Sequence, residues 1–496
     1  MHYQIADLRF ANCVSRARAT WDVRHVVFAT TALSLGLLVA YPVVSLVVKS
    51  LPLSNYVDQL RAPQTLRALR NTLYVAAGTT AQATLLGVAL AFFGTRTDMP
   101  LRRWVHAGVH LIFLTPGYIG TVAWIQLLGR SGHVTRWLSQ HLGVLRPPID
   151  IYTLEGVIAV MGLYLMPLVY MATANALRNT DPALEEAAIA SGATRAQAVF
   201  TVTLPLAMPG ILSAALLVFV RGLAGFGIPA ALAMPTGNLV MTTQIYAALG
   251  HYDVRMACAQ AVLLALMVAA TLIVHNALLR NRRHTVTASP DLQRCTLHLG
   301  PWGFGIAAIA LLFLTLGGVV PLATILTSSL LKAWGLPVTP KNLTLGNYAS
   351  IFSRGFGARA LRNSLLYALA SATGATVLGF LVAYVSTRTR IAGRKALDFL
   401  ASIPSAIPGP VLAAAMIFAW MLPPLKLYNT PWIILVAYVV AFLPYPLRNV
   451  AGKLRSVVHI WSRWAGCVAG PGQPCSATSS SHPCATVSGR AGCWCS

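Results

Sequence analysis

Apolar runs of about twenty residues, separated by short polar stretches, recur along the chain, and a run of that length is what an α-helix needs to cross a bilayer. The pattern predicts an all-α, polytopic membrane helix bundle of about ten transmembrane helices. They are expected at residues 26–48, 71–94, 105–128, 154–177, 208–235, 257–279, 302–330, 363–385, 399–421 and 432–450. In lipid each segment has to satisfy its own backbone polar groups, so these runs read as helices and not as open strands. Arg9, Arg16, Arg18 and Arg24 precede the first run as they would in a signal peptide. That run is too long and lacks a small-residue cleavage site, so it reads as the first transmembrane helix.

One polar stretch between apolar runs is organised differently from the others. It reads Asp181-Pro-Ala-Leu-Glu-Glu-Ala-Ala-Ile-Ala-Ser-Gly192 and runs on to Thr203-Leu-Pro205, and it holds two of the three glutamates in the chain. Asp181 suits a helix N-cap with Pro182 at the first helical position, and Glu185 and Glu186 then sit near the positive end of the helix dipole. Gly192 is expected to end this helix, Thr194 with Gln197 to form a capping box for a second, and Pro205 to stop that one. Ala187, Ala188, Val199, Phe200 and Leu204 would offer a small apolar face to a partner.

The chain also repeats itself. Leu53-Ser-Asn55-Tyr56 returns as Leu345-Gly-Asn347-Tyr348, Ala68-Leu-Arg-Asn71 as Ala360-Leu-Arg-Asn363, and Thr95-Arg-Thr97 as Thr387-Arg-Thr389, all at an offset of 292. Gly87, Ala91 and Pro116-Gly117 match Gly379, Ala383 and Pro408-Gly409 at the same offset. An even number of helices separates matching points, so the copies run in parallel and a pathway is expected between them.

Composition agrees with the class: 56% of residues are hydrophobic and only 10% charged. The formal net charge of +25 could suggest nucleic acid, but the basic residues are scattered through short loops, as in proteins facing anionic membrane lipid. No nucleic-acid partner is assigned. Clusters at Arg96, Arg102 and Arg103, at Arg280, Arg282 and Arg283, and at Arg388, Arg390, Arg394 and Lys395 fall on one side if the N-terminus is cytoplasmic.

The series Glu186-Ala187-Ala188, Gly192, Leu204-Pro205 resembles the docking loop of binding-protein-dependent ABC importer permeases, and the resemblance extends over about residues 26–450. It is nearest to the fused double-permease kind found in ferric iron importers, to which Gly225-Phe-Gly-Ile-Pro229 and Thr242-Thr-Gln-Ile-Tyr246 also look similar. The resemblance implies a multi-pass protein of the bacterial cytoplasmic (inner) membrane. Its partners would be cytoplasmic ABC ATPase subunits and a periplasmic or lipoprotein substrate-binding protein. Asp181, Pro182, Glu185, Glu186, Ala187, Ala188, Gly192, Leu204 and Pro205 would form the ATPase-docking loop. The helix carrying Phe226, Gly227 and Pro229 would border the path; Gly225, Gly227 and Pro229 could equally serve plain helix packing. Ferric iron is the first expected cargo, with 2-aminoethylphosphonate, thiamine or polyamine as alternatives.

Arg221 is the one strong charge inside a predicted span. Such a residue costs roughly 2.5–3.5 kcal/mol on insertion scales, so it should face a wet cavity, the bundle interior or a partner. It is a candidate for the path of an anionic or chelated cargo, beside a structural bond to helix carbonyls or snorkelling. Asn71 and Asn363 open equivalent helices and suit capping. His106, His110 and His251 have no ligand spacing, so neither metal nor cofactor is assigned. There is no Walker A sequence, nucleophile elbow or His-Glu-x-x-His, so the chain reads as a transport subunit and not an enzyme. A secondary transporter would have no use for the docking loop and would more often carry intramembrane acids.

The second copy should reach its own Asp-Pro-x-Leu-Glu-Glu-Ala after Leu454-Arg455, which match Leu177-Arg178. The chain instead reads Val458-His-Ile-Trp-Ser-Arg-Trp464 and then a tail holding Cys467, Cys475, Cys484, Cys493 and Cys495. With C or G in third codon positions, the frame one nucleotide earlier gives Leu-Glu across Ile460–Ser462. A Gly follows seven positions after that Glu and a Pro twenty after, the intervals from Glu185 to Gly192 and to Pro205. The tail is therefore expected to be a frameshifted, disordered remnant, and the second repeat incomplete. The expected organisation is a basic N-terminus at 1–25, a first repeat at 26–280 with its loop at 181–205, a linker at 281–300, a second repeat at 301–456 and the tail at 457–496.

Overall fold

The computed structural model describes residues 24–52, 54–143, 150–251, 253–280, 296–353, 355–421 and 426–454. The expected basic N-terminus, most of the linker and the tail lie outside the described residues. Seven helices are long and apolar enough to cross a membrane, and ten spans result if each of three bent helix pairs counts as one. Among the described residues the only extended pairings are two isolated bridges, Thr97–Leu297 and Leu331–Leu343. The protein is a polytopic helical bundle.

In chain order the helices used below are α1 (Arg24–Ser50), α2 (Pro63–Arg96), α3 (Arg102–Leu114), α4 (Gly117–Leu128) and α5 (Leu154–Arg178). The polar loop holds α6 (Pro182–Ala190) and leads into α7 (Arg195–Ala224). Then come α8 (Gly227–Leu232), α9 (Met241–Gly250), α10 (Val254–Arg280), α11 (Trp302–Ser329), α12 (Phe356–Arg388), α13 (Arg394–Ser402), α14 (Gly409–Trp420), α15 (Pro431–Phe442) and α16 (Pro444–Leu454).

Small residues let the spans approach closely. A Cβ added to Gly87 in α2 would lie 2.8 Å from Val169 Cβ and 3.0 Å from Tyr170 N of α5. Gly379 in α12 meets Pro446 and Leu447 of α16 in the same way, with Leu447 N 3.0 Å from its added Cβ. Without strong hydrophobic drive between helices in lipid, such close backbone packing supplies much of the attraction. The leading helix of each half, however, packs on the other half. Leu35 and Val39 of α1 are buried with Val382, Trp420 and Leu443, and Lys49 Nζ donates to Phe418 O at 2.6 Å. Ala307, Ala310 and Leu314 of α11 lie in the core formed by α2, α3 and α5.

Several local expectations are corrected. The run at 105–128 is not one straight helix: α3 and α4 meet at 100°, and α13 and α14 at 112°. Pro116 and Pro408 sit at these breaks with ψ of 126° and 141°, and a proline can neither donate to the helix nor let its predecessor stay helical. The run at 208–235 likewise divides at Gly225, and α9, which the hydrophobic pattern did not predict, follows it. Pro205 does not stop a helix. The backbone widens into a π-turn over Val199–Thr203, which accommodates the missing N–H, and α7 runs straight on. Asn71 is no cap either: it lies inside α2, buried, and donates to Leu239 O at 3.0 Å.

Candidate functional site

The polar loop folds much as its capping residues dictate. Asp181 accepts from Ala183 N at 3.0 Å with Pro182 behind it, and the Thr194–Gln197 capping box closes on both sides. Gly192 ends α6 at φ +93°, a left-handed conformation open to glycine and strained for other residues. Glu186, Ala187 and Gly192 are exposed, as a docking surface requires.

Glu185 is not part of that surface. It is fully buried and pairs with Arg96, the last residue of α2, at 2.8 Å; Arg96 is only 1% exposed. Thr203 donates to the same carboxylate at 2.6 Å, and the second guanidinium nitrogen of Arg96 donates to Leu177 O at 2.7 Å. One carboxylate thus ties α6 to the ends of α2 and α5 and to the start of α7. Pro182 is buried beside it and Leu204 half-buried, and Val199, expected to face a partner, is wholly buried. The exposed apolar surface comes instead from Leu184 and Phe200, with Phe200 stacked on Phe92 at 5.8 Å. Sequence reasoning missed the Arg96–Glu185 pair, although Thr95-Arg-Thr97 had already stood out as a repeated triplet.

At the opposite end of α7 lies a cavity of about 1410 Å³. The helical stretch from Leu204 to Ala224 has 21 residues and, at about 1.5 Å per residue, carries the chain roughly 30 Å from the loop. Arg221, Phe226, Gly227 and Pro229 all line the cavity, so the structure brings the four path candidates together. Arg221 is exposed there, and Phe226 packs against Tyr246 with ring centroids 5.4 Å apart. The break that opens α7 is held by hydrogen bonds: Thr242 Oγ1 donates to Gly225 O at 2.7 Å, and Met241 N to Thr72 Oγ1 at 2.8 Å.

The cavity has further walls that sequence reasoning did not assign to it. Tyr118 and His251 line it, and so do Gly117 and Gly409, the matched glycines at the two proline breaks. It therefore lies where the halves meet. The signal for these glycines was their equal place in the two copies. Among the described residues that line the cavity there is no aspartate, glutamate or cysteine. Arg221 and His251 are its charged or protonatable nitrogen groups.

A family model described as binding-protein-dependent transport system inner membrane component matches residues 83–283. A molybdenum transport system permease protein of Haemophilus influenzae is 30% identical over 164 residues, covering 32% of this chain and 68% of that protein. The chain belongs to this permease family. Two longer relatives named for ferric transport, from Haemophilus influenzae and Actinobacillus pleuropneumoniae, are each 29% identical over 395 residues. Those matches cover 78% of this chain but 61% and 56% of the relatives, so the chain spans little more than half of their length. The matched residues of the permease model include the polar loop, α7 and most of the cavity-lining segment 221–251.

Proposed function

We propose that this chain is the membrane-spanning permease component of an ATP-driven importer of the bacterial inner membrane. Loop 181–205 docks a cytoplasmic ATPase subunit, a periplasmic or lipoprotein substrate-binding protein delivers cargo from the other side, and the cavity at the meeting of the halves is the path. The observation that carries this reading is α7, whose one continuous rod starts in the loop and opens at the cavity. A displacement of α6 by an ATPase would be transmitted along it. ATP hydrolysis belongs to the separate ATPase subunit.

Ferric iron is the proposed cargo, on the two ferric relatives. Arg221 with no carboxylate beside it favours an iron that crosses as a negatively charged chelate over the bare cation, because like charges in a poorly solvated cavity repel. The same feature favours a second reading, an oxyanion, in keeping with the molybdenum and sulfate permeases among the relatives.

The test is co-purification with the ATPase and binding protein, followed by vesicle uptake of ferric citrate and of molybdate. Uptake of neither, with the ATPase bound, would remove the importer reading. Arg221→Leu is expected to insert as well as the parent and to lower uptake about tenfold, the scale of one lost charge-assisted contact. Unchanged uptake would return Arg221 to a structural role. The 496 residues hold one docking loop of this pattern, so one ATPase subunit is expected per chain. Reading the nucleotide sequence past codon 457 checks the proposed shifted frame: it must encode Glu, then Gly, then Leu-Pro at the spacing of the first loop.

A further inference from the structure

The ends of α2 and α12 are built alike. Thr95 and Thr97 donate to Ala91 O and Phe93 O at 2.7 and 2.6 Å, and Thr387 and Thr389 to Ala383 O and Val385 O at 2.6 and 2.7 Å. The capping residues Thr97 and Thr389 leave the helix at φ/ψ of −128°/165° and −113°/159°. Between each pair of threonines stands an arginine. Arg96 is buried on Glu185, whereas Arg388 is exposed and among the described residues has no recorded partner for its guanidinium.

The surroundings of Arg388 are strongly basic. Arg390, Arg394 and Lys395 follow within seven residues, and Asp398 is the one acidic side chain in residues 301–496. Asp398 lies on α13, at the position that His106 takes on α3, and not on a segment equivalent to α6. A carboxylate docked on Arg388 as Glu185 docks on Arg96 therefore has no source in the second half of this sequence.

We infer that the end of α12 is an empty socket for a carboxylate carried by a short helix from outside these 496 residues, which would lock onto Arg388 as α6 locks onto Arg96. The occupant is a polypeptide segment with a glutamate in its first helical turns, presented opposite a basic rim. The rim draws it in through charge, and the buried hydrogen bonds hold it, as in other desolvated Arg–carboxylate pairs. The socket is defined by the two helix ends alone, whatever cargo the cavity carries.

The experiment uses the full chain in nanodiscs of zwitterionic lipid, with a synthetic peptide of the sequence of residues 177–206 as probe. Phenylglyoxal labelling read by mass spectrometry is expected to modify Arg388 and spare Arg96. The peptide should lower labelling of Arg388 about tenfold, and its Glu185→Gln version should not, since one charge-assisted pair is at stake. Because Arg388 is exposed, Arg388→Glu should fold normally; it should reject the parent peptide and bind the peptide carrying Glu185→Arg. Equal effects of the Glu and Gln peptides, or no effect of either, would overturn the inference. So would protection of Arg388 by anionic lipid alone, which would give the socket to a headgroup.

Discussion

The last turn of α2 and the last turn of α12 share a Thr-Arg-Thr triplet, the same threonine bonds and the same exit of the backbone, yet one arginine is buried and the other lies in solvent. Local sequence therefore does not set the state of these arginines. The difference is an acid that arrives from 89 residues away in the first half, and has no counterpart in the second. Burying a lone guanidinium is costly, so Arg96 could pack inside only together with Glu185.

The largest effect is expected from separating that pair. Glu185→Ala or Arg96→Ala leaves one buried charge uncompensated and should cost about 3–5 kcal/mol in the stability of the loop region, whereas Arg388→Ala should cost little. Thermal unfolding with limited proteolysis of residues 178–206 measures this. An Arg96→Met/Glu185→Leu double variant should recover much of the loss, and equal sensitivity of Arg96 and Arg388 would erase the contrast between the halves.

Next in size are changes to the loop surface. Gly192→Pro cannot adopt φ +93°, because the proline ring holds φ near −65°, and it should disrupt α6 and abolish ATPase recovery in a detergent pull-down. Glu186→Lys reverses an exposed charge and should lose the ATPase with the melting temperature unchanged. Normal recovery of the ATPase with both variants would remove the docking role.

A smaller contrast follows at the next turn. Leu101, before α3, sits at φ +58°, while the matched position before α13 is Gly393 at φ +93°. Left-handed backbone strains a leucine by roughly 1–2 kcal/mol, so Leu101→Gly should stabilise the first half, by about 1 kcal/mol after the added freedom of the unfolded chain. Gly393→Leu should destabilise the second half by a similar amount. Chemical denaturation of each variant reads both.

The smallest effect concerns Asp98, whose matched residue is Arg390. Asp98 accepts from Leu299 N at 2.9 Å and faces His298 at 3.0 Å, clamping the residues ahead of α11 to the end of α2. The Leu299 amide, and then His298, hold its carboxyl below the ordinary range. A carboxyl depressed on folding stabilises above its unfolded pKa, and that contribution fades as pH falls through the lower folded value. Hydrogen exchange at the Leu299 amide should accordingly speed up below about pH 4. Exchange independent of pH, once the intrinsic rate is divided out, would dissolve the clamp.

Much of the bundle was legible from periodicity, because a lipid-facing segment has to be apolar along its whole length and must close its own backbone bonds. The caps of α6 and α7 were equally legible, since Asp181, Gly192 and Thr194 act on neighbours within a few residues. The candidate path was readable as far as Arg221, Phe226, Gly227 and Pro229, through charge and helix-breaking residues. His251 and Tyr118 were not, because a side chain's place on a cavity wall depends on helices far apart in the chain.

What the sequence determined by itself is thus local: where helices run, where prolines and glycines break or cap them, and that the chain is duplicated. Tertiary structure decided which way each helix turns its residues. It sent Glu185 inward to Arg96, buried Val199, laid α1 and α11 on opposite halves, and set Gly117 and Gly409 around one cavity. The physical reason is that capping and span formation are satisfied within a few turns of one segment, whereas a buried charge needs a counter-charge that only another segment can bring.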